Sequence, residues 1–187
     1  EKAPLSEGRL LTTGDTAMSG SAEVRNLDAI IIGAGFSGLF MNHRLRDTLG
    51  LDVQVIEAGS DVGGTWYWNR YPGARCDSES YMYCFAFDQQ LMQDWEWSGK
   101  YPEQPEIQSY LSHVADRYDL RRNMSLNTKV ESAHFDESTD RWNVVTDTGE
   151  NWEVSYGWLG PEGENSLPFA VTHNARSSTL RFRYDAD

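Results

Sequence analysis

The sequence predicts an α/β fold that opens with a βαβ unit and closes in an antiparallel β-meander. Three observations carry this prediction. An apolar, β-branched run, Asp28-Ala29-Ile30-Ile31-Ile32, leads into the turn Gly33-Ala34-Gly35-Phe36-Ser37-Gly38. A stretch without Gly or Pro, Leu39 to Leu49, is followed by a second apolar run, Leu51 to Ile56, that ends in Glu57. Between Val130 and Tyr156, three short alternating runs are separated by turn-forming residues.

Taken in order, residues 1–26 are rich in Ser, Thr, Gly, Ala and Glu without periodicity, and read as a flexible lead-in. The first apolar run has the character of a strand buried on both faces. The following segment carries apolar residues at 41, 45 and 49 and stops at Gly50, the usual place for a glycine just past a helix. Strand, glycine turn, helix, strand and acid in this order form the dinucleotide-binding fingerprint of a Rossmann-like domain. The residue types follow from the ligand. A pyrophosphate needs backbone N–H groups at a helix N-terminus with no Cβ in the way. Gly33 permits the tight turn, Gly35 the close approach of phosphate, and Gly38 the packing of helix on strand. Glu57, 24 residues after Gly33, is placed to accept hydrogen bonds from ribose hydroxyls. Its charge repels a 2′-phosphate, which favours FAD or NAD over NADP at this turn.

From 58 to 103 the chain is dense in aromatic residues and punctuated by Gly59, Gly63, Gly64, Pro72 and Gly73. It fits neither helix nor strand and reads as a long ordered loop, which in a compact domain signals function. The pair Gly63-Gly64 permits a second backbone approach to the same nucleotide. The flat side chains after it offer surface to a flat apolar ring. Pro72-Gly73 turns the chain back, and Arg75 and Asp77 bring opposite charges near that ring. A loop that clasps a pyrophosphate and faces a ring system implies FAD more than NAD. Pro105 to Leu120 is the clearest helix, with apolar positions 107, 110, 111, 114, 115 and 118 on one face. His113 is expected on its solvated side. The meander follows as Val130 to Phe135, Arg141 to Thr146 and Trp152 to Tyr156. Residues 157–187 break this pattern at Gly157, Gly160, Pro161, Gly163 and Pro168, with Thr179 to Tyr184 as a short isolated strand. The expected division is a lead-in at 1–26, a nucleotide-binding domain at 27–156 and an atypical tail at 157–187.

Composition narrows the function classes. A net charge of −13 and a pI near 4.6 oppose binding to nucleic acid or to an anionic membrane surface. No run approaches the roughly 18 apolar residues that suggest a membrane span. Two cysteines, Cys76 and Cys84, are too few for a disulfide framework and lack zinc-ligand spacing, so no metal is expected. Reduced thiols and the absence of a secretory pattern at the start give a cytoplasmic expectation.

The run Gly63-Gly64-Thr65-Trp66-Tyr67-Trp68-Asn69-Arg70-Tyr71-Pro72-Gly73-Ala74-Arg75-Cys76-Asp77 resembles the N-terminal part of Baeyer–Villiger monooxygenases. Tyr81 to Phe85 and the helix start Gln104-Pro105-Glu106-Ile107 extend the likeness, which covers residues 27 to about 150. The resemblance implies an FAD-binding domain in which Gly33, Gly35, Ser37 and Gly38 hold the pyrophosphate and Glu57 the adenosine ribose, with Gly64 also a cofactor-binding residue. Thr65, Trp66, Tyr67 and Trp68 would line the flavin side, with Tyr83 nearby, and Val130 would contact the adenine end. Arg75, Cys76 and Asp77 would face flavin and nicotinamide, Asp77 in a supporting catalytic role by orienting an arginine from a later domain. Such enzymes use NADPH and O2 to turn ketones into esters or lactones through a C4a-peroxyflavin. Oligomeric state is not implied.

The departures matter as much. The family's second, NADPH-binding Rossmann domain and its linker motif are absent from these 187 residues, where His173 is followed by Asn174-Ala175-Arg176-Ser177. Where a closing apolar strand is due, the chain reads Ser155-Tyr156-Gly157-Trp158-Leu159-Gly160-Pro161. A shifted reading frame, a fragment end and a different terminus each give that pattern. The expectation is a chain that does not complete the NADPH-dependent reaction alone. An amine- or sulfide-oxygenating flavin monooxygenase fragment, a truncated non-catalytic flavin binder and, more weakly, an NAD dehydrogenase are the alternatives.

Overall fold

The computed structural model describes residues 24–159, 169–171 and 179–181. The lead-in expected at 1–26 falls almost wholly outside these residues, as does most of the tail. Strand β1 (Arg25–Ile32) leads through the glycine turn into α1 (Phe36–Asn42), and β2 (Val53–Ile56) follows. The aromatic stretch contains two short helices, α2 (Thr65–Trp68) and α3 (Gln89–Asp94), before the long helix α4 (Gln104–Arg117). A 3-10 turn (Leu120–Asn123) and the two-residue β3 (Met124–Ser125) precede the meander strands β4 (Val130–Asp136), β5 (Arg141–Thr146) and β6 (Asn151–Leu159). Short strands β7 (Phe169–Val171) and β8 (Thr179–Arg181) complete the described elements.

One mixed sheet joins them in the order β3-β2-β1-β6-β5-β4-β8, with β7 also on β6. Pairing is parallel from β3 through β6 and antiparallel from β6 onward. Strand β6 therefore has two roles. Its first residues pair with β5 in the meander, while its whole length runs parallel to β1, from Arg25↔Trp152 to Ile32↔Leu159. The third meander strand was expected to end at Tyr156, with the closing strand missing. Instead one continuous strand runs to Leu159 and takes the place beside β1, so β1 has a neighbour on both sides. The segment Tyr156 to Leu159 can do this because a sheet neighbour needs only backbone N–H and C=O groups in register. Strand β8 is likewise not isolated but pairs with β4.

The two-residue period of β1 divides the core. Ala29 and Ile31 face a cluster with Leu39, Val53, Val55, Ile107, Tyr110, Leu111 and Val114. Ile30 and Ile32 face the opposite cluster, with Ile56, Val130, Trp142, Val144 and Trp152, and Leu27 joins that cluster out of step with the period. The apolar face predicted for α4 is the face it buries. His113 departs from expectation. It is half-buried against Trp95, ring centroids 5.3 Å apart, because the aromatic stretch folds over that side of the helix.

The segment expected as one helix over 39–49 begins earlier, at Phe36, and widens into a π-helical turn over His43–Thr48. Asn42 is fully buried and donates to Leu120 O (3.0 Å), and it exchanges amide hydrogen bonds with Asn123. Arg46 donates to the carbonyls of Tyr118 and Asp119 and to Asn123 Oδ1. These bonds fix the helix behind the glycine turn to the end of α4, and so set where its N-terminus points.

Candidate functional site

Two glycine turns meet at the top of β1. Gly33, at φ +94, makes the sharp exit from the strand, and its N–H donates to Ile56 O (2.8 Å). A Cβ at Gly38 would stand 2.0 Å from Gly33 O, so only glycine lets helix α1 sit this close to the turn. The second turn, Gly63-Gly64, lies against the first. Gly63 N–H donates to Ala34 O (2.9 Å), and a Cβ on Gly64 would meet Gly35 Cα at 2.8 Å. Backbone thus touches backbone at Gly35 and Gly64. The first N–H groups of α1, from Phe36 and Ser37 onward, have no acceptor within the helix by construction. Together the turns bring backbone against backbone at the positive end of a helix, a cradle suited to a pyrophosphate.

Glu57 stands beside this cradle, only 4% exposed. Its Oε2 accepts the Ala34 N–H and its Oε1 the Gly59 N–H, both at 2.6 Å. The carboxylate therefore ties the first turn to the end of β2. Two bonds leave lone pairs on both oxygens, so the same group can accept from ribose hydroxyls as well. Tyr67 closes the side next to it. Its ring packs on Gly59, where a Cβ would come 2.7 Å from Tyr67 Cε1, and its hydroxyl meets Ser60 N–H (3.0 Å) and Oγ (2.7 Å). Hydrogen bonds from Ser60 hold the Tyr67 phenol below its ordinary pKa. Arg70 lies over the Tyr67 ring at 4.5 Å.

The aromatic loop divides by burial. Trp66 points into the core and donates from Nε1 to Tyr83 Oη (3.0 Å); burial pushes the Tyr83 phenol pKa up. Trp68 is 59% exposed and stands edge-on to Tyr67, and Thr65 is exposed at the start of α2. Of the four residues Thr65 to Trp68, then, Trp66 shapes the loop from within, while Thr65, Tyr67 and Trp68 present outward. Cys76 is buried, whereas Arg75 and Asp77 on either side are exposed, the alternation of a short extended segment. Arg75 pairs with Glu103, and Cys76 N–H donates to Pro102 O (3.0 Å), which stitches this limb to the start of α4. The Val130 side chain is fully buried in the second core, so this residue can reach a ligand only through its main chain. No group of three or more potential metal ligands occurs among the described residues.

Sequence reasoning did not find Gln104 and Gln108. Both lie on α4 and donate to carbonyls of the second glycine loop, Trp66 O and Val62 O respectively. Their spacing, one helical turn, is the signal that was available, but only the tertiary packing shows what that face meets. No helix among the described residues is long and apolar enough to cross a membrane.

Comparison with known proteins places this geometry. Residues 31–95 match the family model described as an NAD(P)-binding Rossmann-like domain. Over 131 residues, 70% of this chain, it is 50% identical to a Baeyer-Villiger monooxygenase of Pseudooceanicola batsensis and 47% identical to a phenazine N-monooxygenase of Lysobacter antibioticus. The solved structure of oxidized steroid monooxygenase bound to NADP superposes with a TM-score of 0.72 at 49% identity, covering 77% of this chain and 28% of that one. The chain spans about a quarter of the length of the curated relatives it matches, 24% in each of these two. By sequence and by fold, this chain is similar, over about 70% of its length, to the N-terminal part of the Baeyer–Villiger monooxygenases.

Proposed function

We propose that this chain is the FAD-holding part of a Baeyer–Villiger-type monooxygenase. The contact between the turns at Gly35 and Gly64, with Glu57 bonded to Ala34 beside them, is the observation that carries the reading. The donor set fits the cofactor. Main-chain N–H groups of the Gly33 to Gly38 turn bind a pyrophosphate without side-chain obstruction. Glu57 accepts ribose hydroxyls while it holds the turn, and its charge excludes a 2′-phosphate.

When bound, FAD supplies hydride acceptance and oxygen activation. The chain's own residues bind, orient and shield. Thr65, Tyr67 and Trp68 offer the outward face of the loop to a flat ring, and Tyr83 and Trp66 brace it from behind. Exclusion of water by this loop protects reactive oxygen chemistry from side reactions. Arg75, Cys76 and Asp77 form the limb that faces the second half of the reaction, where NADPH, O2 and a ketone would meet, and Asp77 is exposed to orient a cation there. We place the protein in the cytoplasm.

A second reading has a specific support. The relative named as a phenazine N-monooxygenase is nearly as similar as the Baeyer-Villiger relative, 47% against 50%. Oxygen transfer to nitrogen, as that relative's name states for it, is therefore the second reading for the enzyme to which this N-terminal part would belong.

The test is titration of FAD into the purified 187-residue chain, followed by flavin fluorescence and the visible absorption band. A stoichiometric yellow complex is expected. A chain that melts cooperatively yet leaves FAD free overturns the reading. Steady conversion of a ketone to an ester by these 187 residues alone, with NADPH and O2, would overturn the assignment of only the FAD-holding role.

A further inference from the structure

Helix α4 holds the second glycine turn through two glutamines spaced one turn apart. Gln104, 8% exposed, donates from Nε2 to Trp66 O. Gln108 donates from Nε2 to Val62 O at 2.5 Å. The two carbonyls flank Gly63-Gly64, one before the pair and one after it. Residues i and i+4 lie on the same side of a helix, so both amides reach the loop from one face of α4.

The grip extends further along the loop. Main-chain N–H of Gln104 donates to Ala74 O (2.9 Å), so this single residue ties the loop's outgoing limb at Trp66 to its returning limb at Ala74. Gln108 fits even more closely. A Cβ on Gly63 would stand 2.0 Å from Gln108 Oε1, and that oxygen is buried with no hydrogen-bond donor among the described residues. The glutamine amide therefore rests directly on the Gly63 α-carbon. On the other side, Gly63 N–H bonds Ala34 O and Gly64 abuts Gly35. The second turn is held between α4 and the first turn, with no slack in either direction.

We propose that Gln104 and Gln108 are positioning residues that set the distance between the two glycine turns and the pose of the aromatic loop on a bound dinucleotide. The proposal rests on the FAD reading of the site. An amide is the group this position needs. Its N–H donates to a loop carbonyl, it is uncharged within a poorly solvated face, and its length carries the helix's rigidity across to the turn. Methionine has similar length and flexibility but no donor, so it leaves a buried loop carbonyl without its partner.

The experiment compares the parent chain with Gln108→Met, Gln104→Met and the double variant. FAD affinity is measured by flavin fluorescence, the spectrum of bound flavin by absorption and circular dichroism at saturating FAD, and the melting temperature without FAD. Each single variant is expected to bind FAD about ten- to a hundredfold more weakly. At saturation its bound flavin is expected to show a shifted visible band and altered dichroism, because the loop rests differently on the ring. A purely stabilising role would lower the melting temperature and the affinity but return the parent spectrum once the site is filled, and that outcome overturns the proposal. So does parent-like affinity in both single variants. Gln108 is only partly buried, so Gln108→Met gives a folded variant for the comparison if Gln104→Met does not fold. Failure of the parent chain itself to bind FAD would refute the FAD reading instead, which keeps the two failures distinct.

Discussion

Replacing Gly64 by alanine gives the sharpest test of how the site is built. Gly64 has φ +54 and ψ −123, a conformation close to glycine-only, and holding alanine there costs about 1–3 kcal/mol. The added Cβ would also lie 2.8 Å from Gly35 Cα, where ordinary contacts begin near 3.4 Å. The obstacle is backbone, so the two turns must separate, and the bond from Gly63 N–H to Ala34 O goes with them, about 1 kcal/mol. The sum is about 2–4 kcal/mol. Set against a typical stability of about 5–15 kcal/mol, the chain stays folded, with a melting temperature lower by about 4–16 °C. If the same displacement opens the cradle, FAD affinity falls by about 30-fold to about 1,000-fold. Flavin fluorescence titration with a parallel thermal melt measures both. Gly149→Ala is the control: its φ is +82 but nothing lies within 4 Å of the new Cβ, so it carries backbone cost without collision, far from the turns. Parent-like FAD affinity in Gly64→Ala, or an equal loss of affinity in Gly149→Ala, would refute the account of two turns in contact.

Other predictions follow from single contacts. Glu57→Gln turns one acceptor into a donor facing a backbone N–H of Ala34 or Gly59, and should destabilise the ligand-free chain by about 1.5–3 kcal/mol, seen in a denaturant melt. Gly38→Ala places a Cβ 2.0 Å from Gly33 O, and its expression as folded protein should fail where Gly73→Ala, with open space around it, succeeds. Tyr110 is buried, and its hydroxyl accepts the Phe85 N–H (2.8 Å); burial pushes its pKa up to about 12. A folded pKa above the unfolded value of 10.0 means this stabilisation is complete below pH 10 and is lost as pH rises through 12, about 3 kcal/mol in all. Alkaline unfolding followed by dichroism should show that loss, and Tyr110→Phe should flatten the curve between pH 10 and 12 while lowering stability at pH 8.

What could be read from residues in order was local. The glycine spacing over 33–38, the acid at 57 and the 3.6-residue period of α4 are each properties of a short segment, and the buried face of α4 appears in the structure as expected. The loop Gly63 to Asp77 was legible as a unit because its residue types are unusual together. Long-range consequences of the same residues were not legible. That Gly64 is needed opposite Gly35, 29 positions earlier, follows from the packing of two turns and leaves no periodic trace. Gln104 stood out only within the helix start Gln104-Pro105-Glu106-Ile107, and Gln108 not at all, until the loop is seen beneath them. His113 lay on the side of the helical wheel that should face water, and Trp95 covers it, because burial depends on what folds over a surface. Strand β6 shows the limit most plainly. Its end, Tyr156-Gly157-Trp158-Leu159, lacks the apolar pattern of a central parallel strand, yet it occupies that place beside β1. Side-chain pattern is written in the sequence, whereas a sheet also recruits strands through backbone hydrogen bonds that every residue but proline can make. The amino-acid sequence by itself determined a Rossmann-like βαβ unit and an aromatic loop after it. Only the tertiary structure decided which backbone atoms touch, which helix holds the loop down, and which strand closes the sheet.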